Sequence, residues 1–248
     1  MAFGIFFALD VVTVQYLESR GAAELARAMS AEDAEIDLGG FPFVPRFLGG
    51  RLTGVSVQVR GASASGGLRV RSVEARMAGV SFRPGEMFAL ARSSYATTSE
   101  VTATEPIVIL ELGEGDLNDF IRRAVPAVGD VQVKGSGIEV RFLKDGVDPA
   151  DAVRPSDDNL TKPARFLPTE SDRKLRLILT SASQIPSHNR AEAERIEGLI
   201  DLPRFPEGLE PEVSMRDGVI QVEAQGAEGV KVTKRIGNAS EPEPTAQP

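Results

Sequence analysis

Residues 212–226, EVSMRDGVIQVEAQG, alternate apolar and polar residues on both sides of an Asp217-Gly218 pair. Alternation at period two puts one kind of side chain on each face of a strand, and Asp-Gly is a two-residue hairpin turn. The stretch therefore predicts a hairpin with one apolar and one polar face, the mark of antiparallel sheet. The pattern recurs. EIDL (35–38) reads as a short strand, and GVSVQVRG (54–61) alternates through Val55, Val57 and Val59. GLRVRSVEARMAGVSF (67–82) alternates too, but its phase slips at Ser72 and near Gly79, which predicts bulges. Gly61 to Gly67 joins these two runs as a turn. DVQVKGSGIEVRFL (130–143) is a second hairpin, turning at Gly135-Ser136-Gly137.

Other segments read differently. RPGEMFALA (83–91) predicts a short helix after Pro84-Gly85, and the β-branched run from Ser93 to Leu112 returns to strand. Pro106 lies inside that run, where an edge or bulge is expected. GEGDLNDFIRRAVPAV (113–128) is a helix with Glu114 and Asp116 in its first turn and Arg122 and Arg123 in its last. Residues 145–172 carry four prolines and many acids, which predicts a surface excursion. Strand resumes at KLRLILTSASQI (174–185), a short helix follows at 188–202, and GVKVT (229–233) is a final strand. The expected organisation is a single domain over residues 3–236 with a disordered tail at 237–248.

The N-terminal period is helical instead. Ile5, Leu9, Val12, Tyr16, Ala22, Leu25 and Met29 fall on one stripe, with Arg20, Glu24 and Arg27 on another, so one amphipathic helix is expected over residues 3–29. The apolar opening MAFGIFFAL is interrupted by Asp10 and is too short to span a bilayer. It lacks the basic region and cleavage site of a signal peptide. Its apolar face belongs either to the core or to the stub of a membrane anchor.

Function classes narrow by subtraction. A formal net charge of -8 without a basic stripe argues against nucleic acid. The absence of cysteine removes disulfides, thiolate catalysis and cysteine metal sites. The single histidine, His188, sits beside Ser187 in a polar stretch, where a solvated role outweighs that of a general base. No Gly-x-Ser-x-Gly elbow or phosphate-cradling loop is present, and GASASG has the wrong spacing. Asp145, Asp148 and Asp151 lack the alternation of a cation loop. No catalytic residue, cofactor or metal is expected.

GGFPFVPRFLGG (39–50) is unusual, with three phenylalanines between two glycine pairs. Pro42 extends Phe41, Pro45 starts a helical turn that carries Phe47 and Leu48, and Gly49-Gly50 ends it. This apolar corner is either a core plug or the lip of a groove, or a tip that touches membrane.

Gly40-Phe41-Pro42-Phe43, then Gly50-Arg51 and an alternating strand, resembles the hallmark of the actinobacterial LmeA-like phospholipid-binding family. VEARMAGVSF, ILELGEGDLNDFI and LPRFPEGLEPEVSMRDGVIQVEAQG resemble the family's later strand, strand-helix step and closing hairpin. The resemblance covers about residues 8–233. It implies an α+β fold similar to the tubular-lipid-binding (TULIP) superfamily, with a long N-terminal helix on a strongly curved, mainly antiparallel sheet. It also implies non-catalytic binding of phospholipid or glycolipid acyl chains in an apolar groove, at a membrane surface on the outer face of the cytoplasmic membrane. There it would support maturation of envelope lipids or lipoglycans. The groove residues it suggests are Phe41, Phe43, Phe47, Leu48, Val55, Val57 and Val59. Two alternatives stand beside it: an envelope-associated interaction module with a closed core, and a lipid-acting hydrolase.

Overall fold

The structure, a computed structural model, describes residues 2–64, 67–85, 99–135, 137–144, 147, 159–161, 163–171, 174–180, 189–199, 208–216, 218–226 and 231–236. It is α+β, and its strand pairings are antiparallel. The long helix α1 (Ala2–Ala28) comes first. At 1.5 Å per residue it is about 40 Å long. Its end is tied to the sheet where the Ser63 amide donates to the Met29 carbonyl.

The described strands divide into three sheets. The largest is six-stranded in the order β1-β3-β4-β7-β13-β12, from β1 (Asp33–Asp37), β3 (Val55–Ser63), β4 (Arg69–Met77), β7 (Ile107–Gly113), β12 (Leu209–Arg216) and β13 (Val219–Gly226). A second runs β11-β10-β9-β8, from β8 (Val128–Lys134), β9 (Gly137–Phe142), β10 (Ala164–Ser171) and β11 (Lys174–Leu179). The third runs β14-β6-β5-β2, from β2 (Arg51–Leu52), β5 (Gly79–Ser81), β6 (Ser99–Thr104) and β14 (Lys231–Ile236). Short helices α2 (Phe43–Leu48), α3 (Glu114–Ala124) and α4 (Arg190–Leu199) join them.

The chain breaks between sheets where the sequence weakens the ladder. Proline has no amide to donate. At Glu105-Pro106 the strand predicted through residue 112 divides into β6 and β7, with Glu105 at φ 47°. The phase slip near Gly79 marks the passage from β4 to β5. The slip at Ser72 is not a register bulge. The ladder runs Arg60↔Ser72 and Ala62↔Val70 in one register. Both strands change phase together beside Gly61, which sits at φ 63°. A register shift does occur elsewhere, between Val128 and Asp130.

The stretch expected as an excursion at 145–172 ends in strand: β10 pairs with β9 and β11 and buries Ala164 and Phe166. Its prolines misled the reading, because Pro168 is accommodated opposite Leu177. The helix expected at 83–91 begins at Pro84, and residues 86–98 lie outside the described residues, as does the tail at 237–248.

Among the described residues two larger cores stand beside a small cluster of Leu143, Leu160 and Val147. The main one joins Val59, Leu112, Ile121, Phe142, Phe166, Ile196 and Ile220, so it crosses the chain on both sides of residue 145. A smaller one is built on Phe43, Leu52, Val80 and Ala103. The helix α1 spans both, with Leu25 and Met29 on the main core and Val14 and Leu17 on the smaller. Its packed stripe differs from the expected one. Val12 and Tyr16 are 63% and 58% exposed, whereas Asp10, Val14, Leu17, Gly21 and Leu25 face inward. The inward stripe includes an acid, which is why hydropathy alone missed it.

Candidate functional site

The inner face of the six-stranded sheet is built from apolar rows that cross every strand. One row runs Ala34, Val59, Val73, Leu110, Val222 and Val213. The next runs Ile36, Val57, Ala75, Val108, Ala224 and Pro211. Beyond it Val55 pairs with Met77. Period-two alternation in each strand and one shared register bring these residues together. Cover decreases along the face. In the first row Val59, Leu110 and Val222 are buried by the main core and Ala34, Val73 and Val213 are half-buried; in the next Ala224 is buried, and Ile36, Val57, Ala75 and Val108 are half-buried, as are Val55 and Met77 beyond them. Val57 and Val108 lean on the main core, and Val55 and Met77 on the smaller one. Ala75, between them, belongs to neither among the described residues.

This half-covered strip ends at a cleft of about 720 Å³. The cleft lies where the chain passes between the large sheet and the β14-β6-β5-β2 sheet, at Gly54, Ala78 and Glu105. Val55, Met77 and Ile107 supply apolar wall, and Asp37, Arg76 and Glu105 supply charge. A lining that mixes apolar and charged side chains suits an amphipathic ligand.

The structure separates the seven expected groove residues. Phe43 is only 1% exposed and sits in the smaller core. Phe47 is half-buried, stacked on Phe43 at 5.5 Å and tilted against Phe82 at 5.2 Å between ring centroids. Phe41 and Leu48 are 51% and 60% exposed. The valines Val55, Val57 and Val59 share the inner sheet face, and of the seven only Val55 lines the cleft. The corner is thus a plug at Phe43 with two exposed apolar flanks, and the cleft lies on the other side of Gly54.

Asp10 explains how the corner is held. Its carboxylate is 2% exposed and accepts from the amides of Phe43 at 2.8 Å and Val44 at 2.6 Å. Pro42, at the N-cap of α2, offers no side-chain cap, so the acid from α1 supplies one. The sequence signal was available: Asp10 stands four residues before Val14 on the buried stripe, and α2 lacks its own cap.

His188, Asp145, Asp148 and Asp151 lie outside the described residues. Among the described residues no helix is long and apolar enough to cross a membrane. The profile of the LmeA-like phospholipid-binding family matches residues 8–225. No curated protein and no solved structure matches the chain.

Proposed function

Because the chain belongs to the LmeA-like phospholipid-binding family, we propose that it holds phospholipid acyl chains, without chemistry, against the half-covered inner face of its large sheet. The observation that carries this reading is the apolar row from Ile36 through Val57 and Ala75 to Val108, half-buried and continuous with an amphipathic cleft. An acyl chain laid on that row removes more of its surface from water, at roughly 25 cal/mol per Å². The headgroup then occupies the cleft.

In this reading the protein works at a membrane surface on the outer face of the cytoplasmic membrane and serves maturation of envelope lipids or lipoglycans. What supports contact with a membrane is the exposed side chains of Val12, Tyr16, Phe41 and Leu48, which offer apolar surface to a bilayer. A closed interaction module is the second reading, and the burial of Phe43 favours it at that end of the molecule.

Native mass spectrometry of the purified protein, before and after incubation with phospholipid vesicles, separates the two. The lipid-binding reading expects added masses that match intact phospholipids. A bare polypeptide mass under both conditions refutes it.

A further inference from the structure

We propose that the protein docks on a bilayer through the exposed tip of the corner at residues 39–51, and that the bilayer it engages carries anionic phospholipid at its surface. The proposal rests on the membrane setting above and adds the docking surface and the charge of its partner. Geometry comes first. Within the corner Phe43 and Phe47 pack into the smaller core, whereas Phe41 and Leu48 are exposed. The Asp10 carboxylate, bonded to the amides of Phe43 and Val44, fixes α1 beside them. Val11 and Val12, both exposed, sit within one helical turn of that contact. Leu25 and Met29 lie on the main core and Val14 and Leu17 on the smaller one, so the first turns of α1 share the corner's end of the molecule. Past Asp10 the helix runs from Leu9 to Ala2, about 12 Å, and AFGIFFAL (2–9) contains no charged residue.

Charge then selects the partner. Residues 38–52 contain no acid, and their charged side chains are Arg46 and Arg51. Arg51 is exposed, and Arg46 donates to the neutral Thr53 Oγ1 at 3.0 Å. Among the described residues no ion pair neutralises either. Asp10 is buried and turned to the two amides, so the charge that the tip presents outward is positive. The chain as a whole carries -8, but its acids gather elsewhere. Glu35, Glu74, Glu223 and Glu212 stand in one row across the outer face of the large sheet. An anionic surface repels that face and attracts the tip, which sets the orientation of approach. Phe41 and Leu48 then enter the acyl boundary while Arg46 and Arg51 stay among the phosphates. The tip is narrow. A fluid bilayer closes around such a tip, whereas a stable protein interface needs a broad complementary surface.

The test mixes the full chain with vesicles of phosphatidylcholine alone, or of equimolar phosphatidylcholine and phosphatidylglycerol, and reads the bound fraction by flotation. Wild type should float with the mixed vesicles, and its binding should fall by roughly tenfold on phosphatidylcholine alone or at high salt. Arg46→Gln with Arg51→Gln should bring binding to mixed vesicles down to the phosphatidylcholine level. Phe41→Ser with Leu48→Ser should lower it by roughly tenfold. Leu48→Glu, which leaves Phe41 and Pro42 in place, should do the same. Ile178→Ser removes an exposed apolar side chain from β11, in another sheet, and should leave binding unchanged. Each protein is also loaded with phospholipid from detergent micelles and weighed by native mass spectrometry, where the tip variants should retain lipid as wild type does. A wild type that ignores both vesicles or binds them equally, or tip variants that bind like wild type, overturns the docking proposal and leaves acyl-chain binding in place. Absence of retained lipid from a wild type that floats overturns acyl-chain binding and leaves the docking surface in place.

Discussion

Asp10 shows how much one side chain can carry when it stands in for a missing cap. Its two acceptor oxygens satisfy the first amides of α2, and no other described group caps that helix end with a side chain. Replacing Asp10 by Ala leaves those donors unpaired, at about 1–3 kcal/mol for a buried one. Asp10→Asn keeps one acceptor and should fall between the two, as urea denaturation can measure. If Asp10→Ala is as stable as wild type, the latch contributes nothing. Next to it, the plug and its flanks should respond differently. Phe43→Ala empties a packed site and should cost about 3–5 kcal/mol. Leu48→Ser changes an exposed side chain and should cost within about 0.5 kcal/mol. Phe47→Ala should lie between these limits, because Phe47 is half-buried between two rings. Equal losses at Phe43 and Leu48 would contradict the division of this corner into plug and surface.

The element scale shows where alternation suffices as a guide and where it does not. The hairpin β12–β13 pairs around Asp217-Gly218 as its sequence predicts, and β8–β9 turns at the expected glycines. Those strands have one face buried, so their period is clean. The shared face of Val55, Val57 and Val59 in β3 was legible from the alternation of the sequence, although burial along that strand does not alternate as cleanly. The partition into three sheets was not, because it depends on which strands find each other after Gly79 and Glu105-Pro106. The cleft was equally hidden, since Glu105 joins Asp37 and Arg76 in its lining only through that partition. In the β8–β9 hairpin, the Glu139 carboxylate accepts from Lys134 Nζ at 2.5 Å and lies near Arg165. The hydrogen bond from Lys134, with the charges of Lys134 and Arg165, holds its pKa below the ordinary Glu value against the opposing effect of burial. A depressed acid stabilises the fold fully above its unfolded pKa and loses that contribution as pH falls through the folded value. Glu139→Gln should therefore be less stable than wild type near neutrality, and the gap should close in acid. Thermal melts across that range give the answer, and a gap that widens in acid would reverse the sign argued here.

At the scale of the whole molecule, the question is whether two cores meet or leave room between them. The main core and the smaller core hold opposite ends of one apolar sheet face, and α1 spans the distance on the β1 side. A closed module would bring the cores together over Ala75. A lipid carrier would leave Ala75 as the floor of a channel that an acyl chain fills. The two cases respond in opposite ways to added bulk. In a closed core, Ala75→Phe overpacks and costs about 1–3 kcal/mol. On an open floor the ring has space, so stability in the absence of lipid should be unchanged or slightly higher, since the new ring covers Val57 and Val108 on either side. The same ring occupies the path of the acyl chain, so bound phospholipid should fall sharply. Lipid binding also stabilises the native state by RT ln(1 + [L]/Kd), about 2.7 kcal/mol at a hundredfold excess over Kd. Wild type should therefore melt higher in the presence of phospholipid than after delipidation, and Ala75→Phe should lose most of that difference. Melting curves of both proteins, each delipidated and reloaded, distinguish the cases. A destabilised Ala75→Phe beside a wild type whose melting is indifferent to lipid means that the cores have closed over the sheet. A stable Ala75→Phe that no longer gains from lipid means that the row from Ile36 to Val108 is where the chain lies.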